Sequence, residues 1–171
     1  VVRLAGKEAV KAVSDRRKRE SRVNAVGKTK RRWQKWQAEC RAAIMTRADG
    51  RCEGCGREQR ADHLAWHHVF GRGKHIAEPL ASHPAMGAAL CSGWWLGNTP
   101  SDCHRTVHAN PGCDEEIHLM DDAIERACAT WGFEQSSVEL SREALIGNAR
   151  ALETMLRDDG TWEALKIEAG L

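Results

Sequence analysis

The sequence predicts an α+β fold that is mostly helical, on three observations. Cys52, Cys55, Cys91 and Cys103 interleave with His67, His68, His104 and His108 between residues 52 and 108, a density of thiol and imidazole donors that reads as metal ligation. Residues 62–70 alternate as a strand does, and residues 86–91 form a short apolar run suited to its partner. Outside that segment apolar residues recur at helical spacing: Trp33, Trp36, Cys40, Ile44 and Arg47 before it, Leu145, Ala149, Leu152 and Leu156 after it. Three parts follow: a basic helical arm over 1–48, a metal-rich core over 49–112 and an acidic helical extension over 113–171. A chain of 171 residues is enough for one domain with such additions.

Residues 1–28 read as a weakly ordered basic helix or tail, whose run Arg16, Arg17, Lys18, Arg19 suits non-specific phosphate contact more than base readout. Residues 29–48 predict a helix that Asp49 and Gly50 end. Its Trp33 and Trp36 are expected to pack on the core in preference to stacking on bases. Residues 51–56 form a knuckle in which Gly54 and Gly56 permit a tight turn with amides free to meet cysteine sulfur. In 62–70, alternation sets Leu64, Trp66, His68 and Phe70 on one face and His63, Ala65, His67 and Val69 on the other. An irregular loop marked by Pro79 and Pro84 leads to the second strand at 86–91, and residues 92–102 are an insertion between paired cysteines. Residues 103–109 read as a short helix stopped by Asn110, Pro111 and Gly112, with His104 and His108 on one face. Asp114 is expected to cap the next helix, with Glu115 and Glu116 in its positive first turn and Gly132 at its end. Helices over 141–157 and 162–169 complete the chain as packing stripes without chemistry.

Seven cysteines favour metal over disulfides if, as expected from residues 1–4, there is no secretory leader, and a redox role for Cys52 and Cys55 would need a βαβ context that the pattern lacks. Four cysteines closing one zinc leave Cys40, Cys113 and Cys128 as free thiols. They also leave the histidines for a second, open metal site with a catalytic task. Residues 1–51 hold 16 Lys/Arg against 5 Asp/Glu, residues 52–113 hold 5 of each, and residues 114–171 hold 5 against 14. A basic arm ahead of a metal-rich core fits a polyanion partner, because Lys and Arg displace condensed counterions from phosphates; Lys30, Arg31 and Arg32 are its expected contacts nearest the core. The acidic tail either folds back on the arm or meets a protein partner. No run of about 18 apolar residues exists, so no membrane span is expected.

In order along the chain stand the CxxC of Cys52 and Cys55, then His67-His68-Val69, the Gly71-Arg72-Gly73 loop, Leu90-Cys91, Cys103-His104 and finally His108. This combination resembles an HNH endonuclease of the ββα-metal type, in the cysteine-supported version common among phage and bacterial proteins. The resemblance covers about a third of the chain; the ordered combination is specific, whereas any single piece is not. It implies a ββα-metal core with a structural zinc on Cys52, Cys55, Cys91 and Cys103, and DNA cleavage leaving a 5′-phosphate and a 3′-hydroxyl. It implies His68 as general base and His67, His104 and His108 as ligands of a catalytic Mg²⁺, Mn²⁺ or Ni²⁺. A local bend in the hairpin would bring both neighbouring histidines to the site, and Arg72 or Arg105 would hold a flanking phosphate. The chemistry asks for such groups: a neutral histidine activates water, and a divalent cation offsets the charge of the phosphorane and the leaving oxygen. A cytoplasmic protein encoded by a bacterium or phage is the corresponding setting.

Two departures from the family pattern stand out. The middle Asn, five residues before the third cysteine, is Met86 here; Asn98 or His83 is the candidate replacement. The gap from Cys91 to Cys103 is long, and Trp94 and Trp95 within it read as a buried anchor rather than a DNA-facing wedge. Asp62-His63 offers a second register for the base but leaves His67-His68-Val69 unexplained. The rival function is a zinc-stabilised DNA-binding module that has lost cleavage, a reading that Met86 favours. A toxin-like nuclease held by a partner on its acidic tail is a third reading, with little support in the residues.

Overall fold

Residues 27–48 form helix α1. The structure is a computed structural model, and it describes residues 27–71, 74–93, 102–134 and 140–171. Of the expected tail over 1–28, residues 1–26 lie outside the described residues, as do Arg72 and the insertion residues Trp94, Trp95 and Asn98, while 27 and 28 belong to α1. The α1 stripe behaves as its period predicts: Trp36, Cys40 and Ile44 are buried, and Trp33 is half-buried with its ring 5.0 Å from that of Trp36. Asp49 and Gly50, both at positive φ, turn the chain out of the helix.

The knuckle after α1 is closed by the bridge between Arg51 and Glu58 and by Gly56 N–H donating to Cys52 O at 2.8 Å. Strand β1 (Leu64–His68) pairs antiparallel with β2 (Gly87–Cys91), setting His67 against Ala88 and His68 against Gly87. Both strands are shorter than the sequence predicts. Ala61–His63 and Pro84–Met86 are single 3₁₀ turns, and Pro84 has no N–H with which to extend a ladder. A two-stranded sheet is marginal alone, and here both faces are covered. Ile44 and Ala48 of α1 pack on Ala89 and Trp66, while Ala88 and Leu90 join the main core. The small residues of β2 permit that double approach, and all five are buried.

Helix α2 (Cys103–Ala109) begins with Asp102 accepting the Arg105 N–H at 3.0 Å. Helix α3 (Asp114–Trp131) corrects one expectation: Cys113, not Asp114, is its N-cap, and no side chain bonds there. The acidic first turn instead acts through Glu116, which accepts the Gly112 N–H. Gly132 ends α3 at φ 72, as predicted. Helix α4 (Arg142–Asp158) is capped by Ser141, whose hydroxyl accepts the Ala144 N–H at 3.3 Å, and it buries Leu145, Ala149, Leu152 and Leu156. Helix α5 (Thr161–Glu168) follows, with the Arg157 guanidinium 4.0 Å above the Trp162 ring.

Helix α4 also fastens the loop after β1. Arg150 Nε donates to His75 O at 3.2 Å, and the Ala77 N–H donates to Glu153 at 2.9 Å. The protein is thus α+β and mostly helical, with the helices holding a hairpin between them. Among the described residues no helix is long and apolar enough to cross a membrane.

Candidate metal centres

The knuckle, the end of β2 and the start of α2 bring four sulfurs together. Cys52, Cys55, Cys91 and Cys103 place their ligand atoms within 4.8 Å of one another. Cys52, Cys91 and Cys103 are buried and Cys55 is exposed. Backbone amides already point at sulfur: Cys91 N–H donates to Cys52 Sγ at 3.2 Å and Cys103 N–H to Cys91 Sγ at 3.4 Å. Burial pushes the Cys52 thiol up, but the amides of Cys91, Cys55 and Gly54 outweigh it and hold the thiol below its ordinary value. Burial pushes Cys103 up, and a charge on Cys52 adds to that. A Cys52 thiolate whose charge hinders Cys91 and Cys103 from ionising is an arrangement a divalent cation relieves, and an all-sulfur donor set suits zinc. Cys40 and Cys128 are buried free thiols apart from this group, and Cys113 is half-buried.

A second group forms where β1 faces α2. His67, His104 and His108 also place ligand atoms within 4.8 Å of one another. Their ring centroids are 5.0 Å apart for His67 and His108, 5.5 Å for His67 and His104, and 4.7 Å for His104 and His108. The one-turn separation on α2 makes the last pair, and the register of β1 supplies the third. His67 is buried, and its Nδ1 has no hydrogen-bond partner. Burial, then the neighbouring His108 and His104, push its imidazole down to about 3. A neutral imidazole with an unsatisfied nitrogen is in the ligating form, so the residues fit a cation held by three nitrogens.

His68 leaves the strand on the other face. Its ring meets that of Trp66 edge-on, with centroids 4.2 Å apart. The bend that the resemblance implies is absent from the strand itself: pairing stays regular through His68 and Gly87. The chain turns directly afterwards, where Gly71 N–H donates to His68 O at 2.9 Å. Both histidines nevertheless line one open cleft of about 240 Å³, with Lys74, His75, His108, Glu116 and Arg142 around them.

Several residues that shape this site escape a reading by motif. Arg47 donates to both carboxylate oxygens of Glu53 at 2.8 and 3.0 Å, to Pro84 O at 2.7 Å and to Gly87 O at 2.8 Å. Arg126 of α3 donates to Ala85 O and Gly87 O, each at 3.2 Å. Glu53, inside the CxxC, accepts the Ala89 N–H at 2.6 Å. The backbone opposite His68 is therefore clamped from α1, α3 and the knuckle. The signal for Arg47 was its place as a charge on an apolar stripe; nothing local marks Arg126. Met86 is fully buried and has no strong polar group to offer. His83 accepts the Ala85 N–H at 3.2 Å and lies against Trp131, so it braces its own turn. Arg105 is exposed on α2 and does not line the cleft. Lys30, Arg31 and Arg32 are exposed on α1, and Arg32 lies where a side chain at Gly170 would stand.

Gly87 is fixed by contact. A Cβ there would lie 2.6 Å from Ile44 Cδ1 and 2.7 Å from Trp66 Nε1. Gly87→Ala is expected to destabilise the fold by about 1–3 kcal/mol through overpacking and to displace Trp66 from His68. Urea denaturation alongside wild type measures the first effect, and a wild-type midpoint would show that Ile44 and Trp66 yield freely. Comparison of the chain with protein-family models, curated proteins and solved structures finds no match.

Proposed function

We propose that this protein is a metal-dependent endonuclease of the HNH type, hydrolysing DNA phosphodiester bonds with a structural zinc on the four cysteines. The observation that carries the reading is the joint geometry. Two separate ligand groups, four sulfurs and three imidazoles, gather on one strand–strand–helix unit and the knuckle that precedes it. A fourth histidine, His68, opens into the cleft that His67 and His108 line. A structural site alone would leave the buried, unpartnered His67 without a purpose.

In this reading His67, His104 and His108 hold the catalytic cation, which when bound offsets charge on the phosphorane and the leaving 3′-oxygen. An all-nitrogen set suits Ni²⁺ best and ranks Mn²⁺ and Mg²⁺, which prefer oxygen, after it among the three expected metals. His68 takes a proton from the attacking water at an imidazole nitrogen, as its free base. Trp66 limits the orientations open to that ring. Arg47 and Arg126 hold the carbonyls of Pro84, Ala85 and Gly87, the structural work that an Asn performs in the family pattern and Met86 cannot. The rival, a zinc-stabilised DNA-binding module without cleavage, is favoured by Met86 alone.

Supercoiled plasmid incubated with zinc-loaded protein and Mg²⁺, Mn²⁺ or Ni²⁺, beside His68→Ala, tests the proposal. Metal-dependent nicking is expected, with the mutant slower by about 10²–10⁴-fold, the range for loss of a general base. Retained cleavage in the mutant would move the base elsewhere. No cleavage with any metal, but a gel shift that weakens with salt, would establish the binding module.

A further inference from the structure

Three cationic or proton-donating groups in the cleft belong to none of the roles above. Lys74 and His75 stand on the loop after β1, and Arg142 is the first residue of α4, in the acidic extension. All three line the cavity that His67, His68 and His108 line. Arg142 is built into place. Its Nε donates to Glu116 at 3.1 Å, and the same Glu116 oxygen accepts the Gly112 N–H in the turn that ends α2. Its Cδ lies 3.7 Å from the position of a Cβ on Gly112. The Arg142 side chain is only 23% exposed and that of Glu116 only 11%, so the pair is held rather than waving in solvent. From the other side, Arg150 of α4 ties His75 O to the same helix. Burial, followed by the charges of Arg142, Lys74 and Arg150, pushes the His75 imidazole below its ordinary value. Lys74 and Arg142 thus bring positive charge to a cleft that His67, His68 and His108 also line.

We propose that Lys74, His75 and Arg142 form a subsite for the phosphate next to the reacting one on a polynucleotide strand. This rests on the nuclease reading of the histidine trio. A guanidinium fixed through Nε by a carboxylate still presents its Nη groups, the geometry suited to phosphate oxygens. The cavity is smaller than the roughly 300–1,000 Å³ that encloses a drug-sized ligand. Its charged groups suit phosphate oxygens, contacts that position a strand without carrying sequence information. The acidic extension thereby contributes a binding group, although its net charge opposes nucleic acid.

The test compares two substrates in the full chain loaded with zinc and Mn²⁺. One is a DNA oligonucleotide, which has neighbouring phosphates. The other is bis(p-nitrophenyl) phosphate, which has a single phosphodiester. Arg142→Ala is expected to slow oligonucleotide cleavage about tenfold or more, the value of one charged hydrogen bond, and to leave the small diester unchanged. Lys74→Ala provides a second variant away from the Glu116 pair. A parallel fall on both substrates would assign Arg142 a structural role, and no fall on either would remove the subsite; each result overturns the proposal. Binding of a single-stranded oligonucleotide as a function of salt decides independently of cleavage. Loss of one phosphate contact should reduce the slope by about 0.7. If wild type cleaves neither substrate, the nuclease reading fails while this slope still rules on the subsite; an unchanged slope overturns it.

Discussion

Cys52→Ala is expected to release the zinc and unfold the core. Cys52 is fully buried, accepts the Cys91 N–H and stands in the knuckle whose Glu53 clamps β2 through Ala89. Apparent binding free energies of structural zinc sites run to about 10–16 kcal/mol, against a net stability of about 5–15 kcal/mol for an ordinary domain. Loss of one sulfur therefore removes a term as large as the whole margin. Metal analysis should give about one tightly held zinc per wild-type chain and none in the mutant, with the cooperative melting transition lost. Cys128→Ala, a buried thiol outside the cluster, is the control and should keep its zinc. An unchanged zinc content and melting temperature in Cys52→Ala would show that the four sulfurs do not form the site.

The second large effect separates function from stability. His67 is buried with an unsatisfied Nδ1 between two other imidazoles, and an unmade buried hydrogen bond costs about 1–3 kcal/mol. His67→Leu, an apolar group of similar size, is expected to leave the zinc-loaded protein at least as stable as wild type when no second metal is added. Wild type should then gain about 2.7 kcal/mol when Ni²⁺ or Mn²⁺ is raised to 100 times its dissociation constant, while the mutant gains nothing and does not nick plasmid. Thermal melts at stepped metal concentration, read beside the nicking assay, distinguish the two. A mutant still stabilised by the metal would remove His67 from the ligand set.

What the sequence made legible and what it did not divide along one line: sequence distance. The two ligand groups were readable because their parts are local pairs. Cys52 and Cys55 share a knuckle and His104 and His108 share a helix face, so only the hairpin and the knuckle had to be placed. The α1 and α4 stripes were readable for the same reason, since period alone marks a buried face. The clamp on residues 84–87 was not, because Arg126 and Gly87 meet only after α3 docks on the sheet. Nor was the Lys74, His75 and Arg142 wall, whose members come from a loop and a helix far apart in the chain. The error at Asp114 was of a different kind. An acid at a helix start has two ways to satisfy an amide, and Glu116 reached back to Gly112 while Asp114 entered the first turn.

Cys103 and His104 are consecutive residues at the start of α2, and they serve different groups. One helical turn is therefore common property. Anything that shifts the first turn of α2 moves Cys103 and His104 together, so the two groups are mechanically coupled and a substitution aimed at the sulfurs also disturbs the imidazoles.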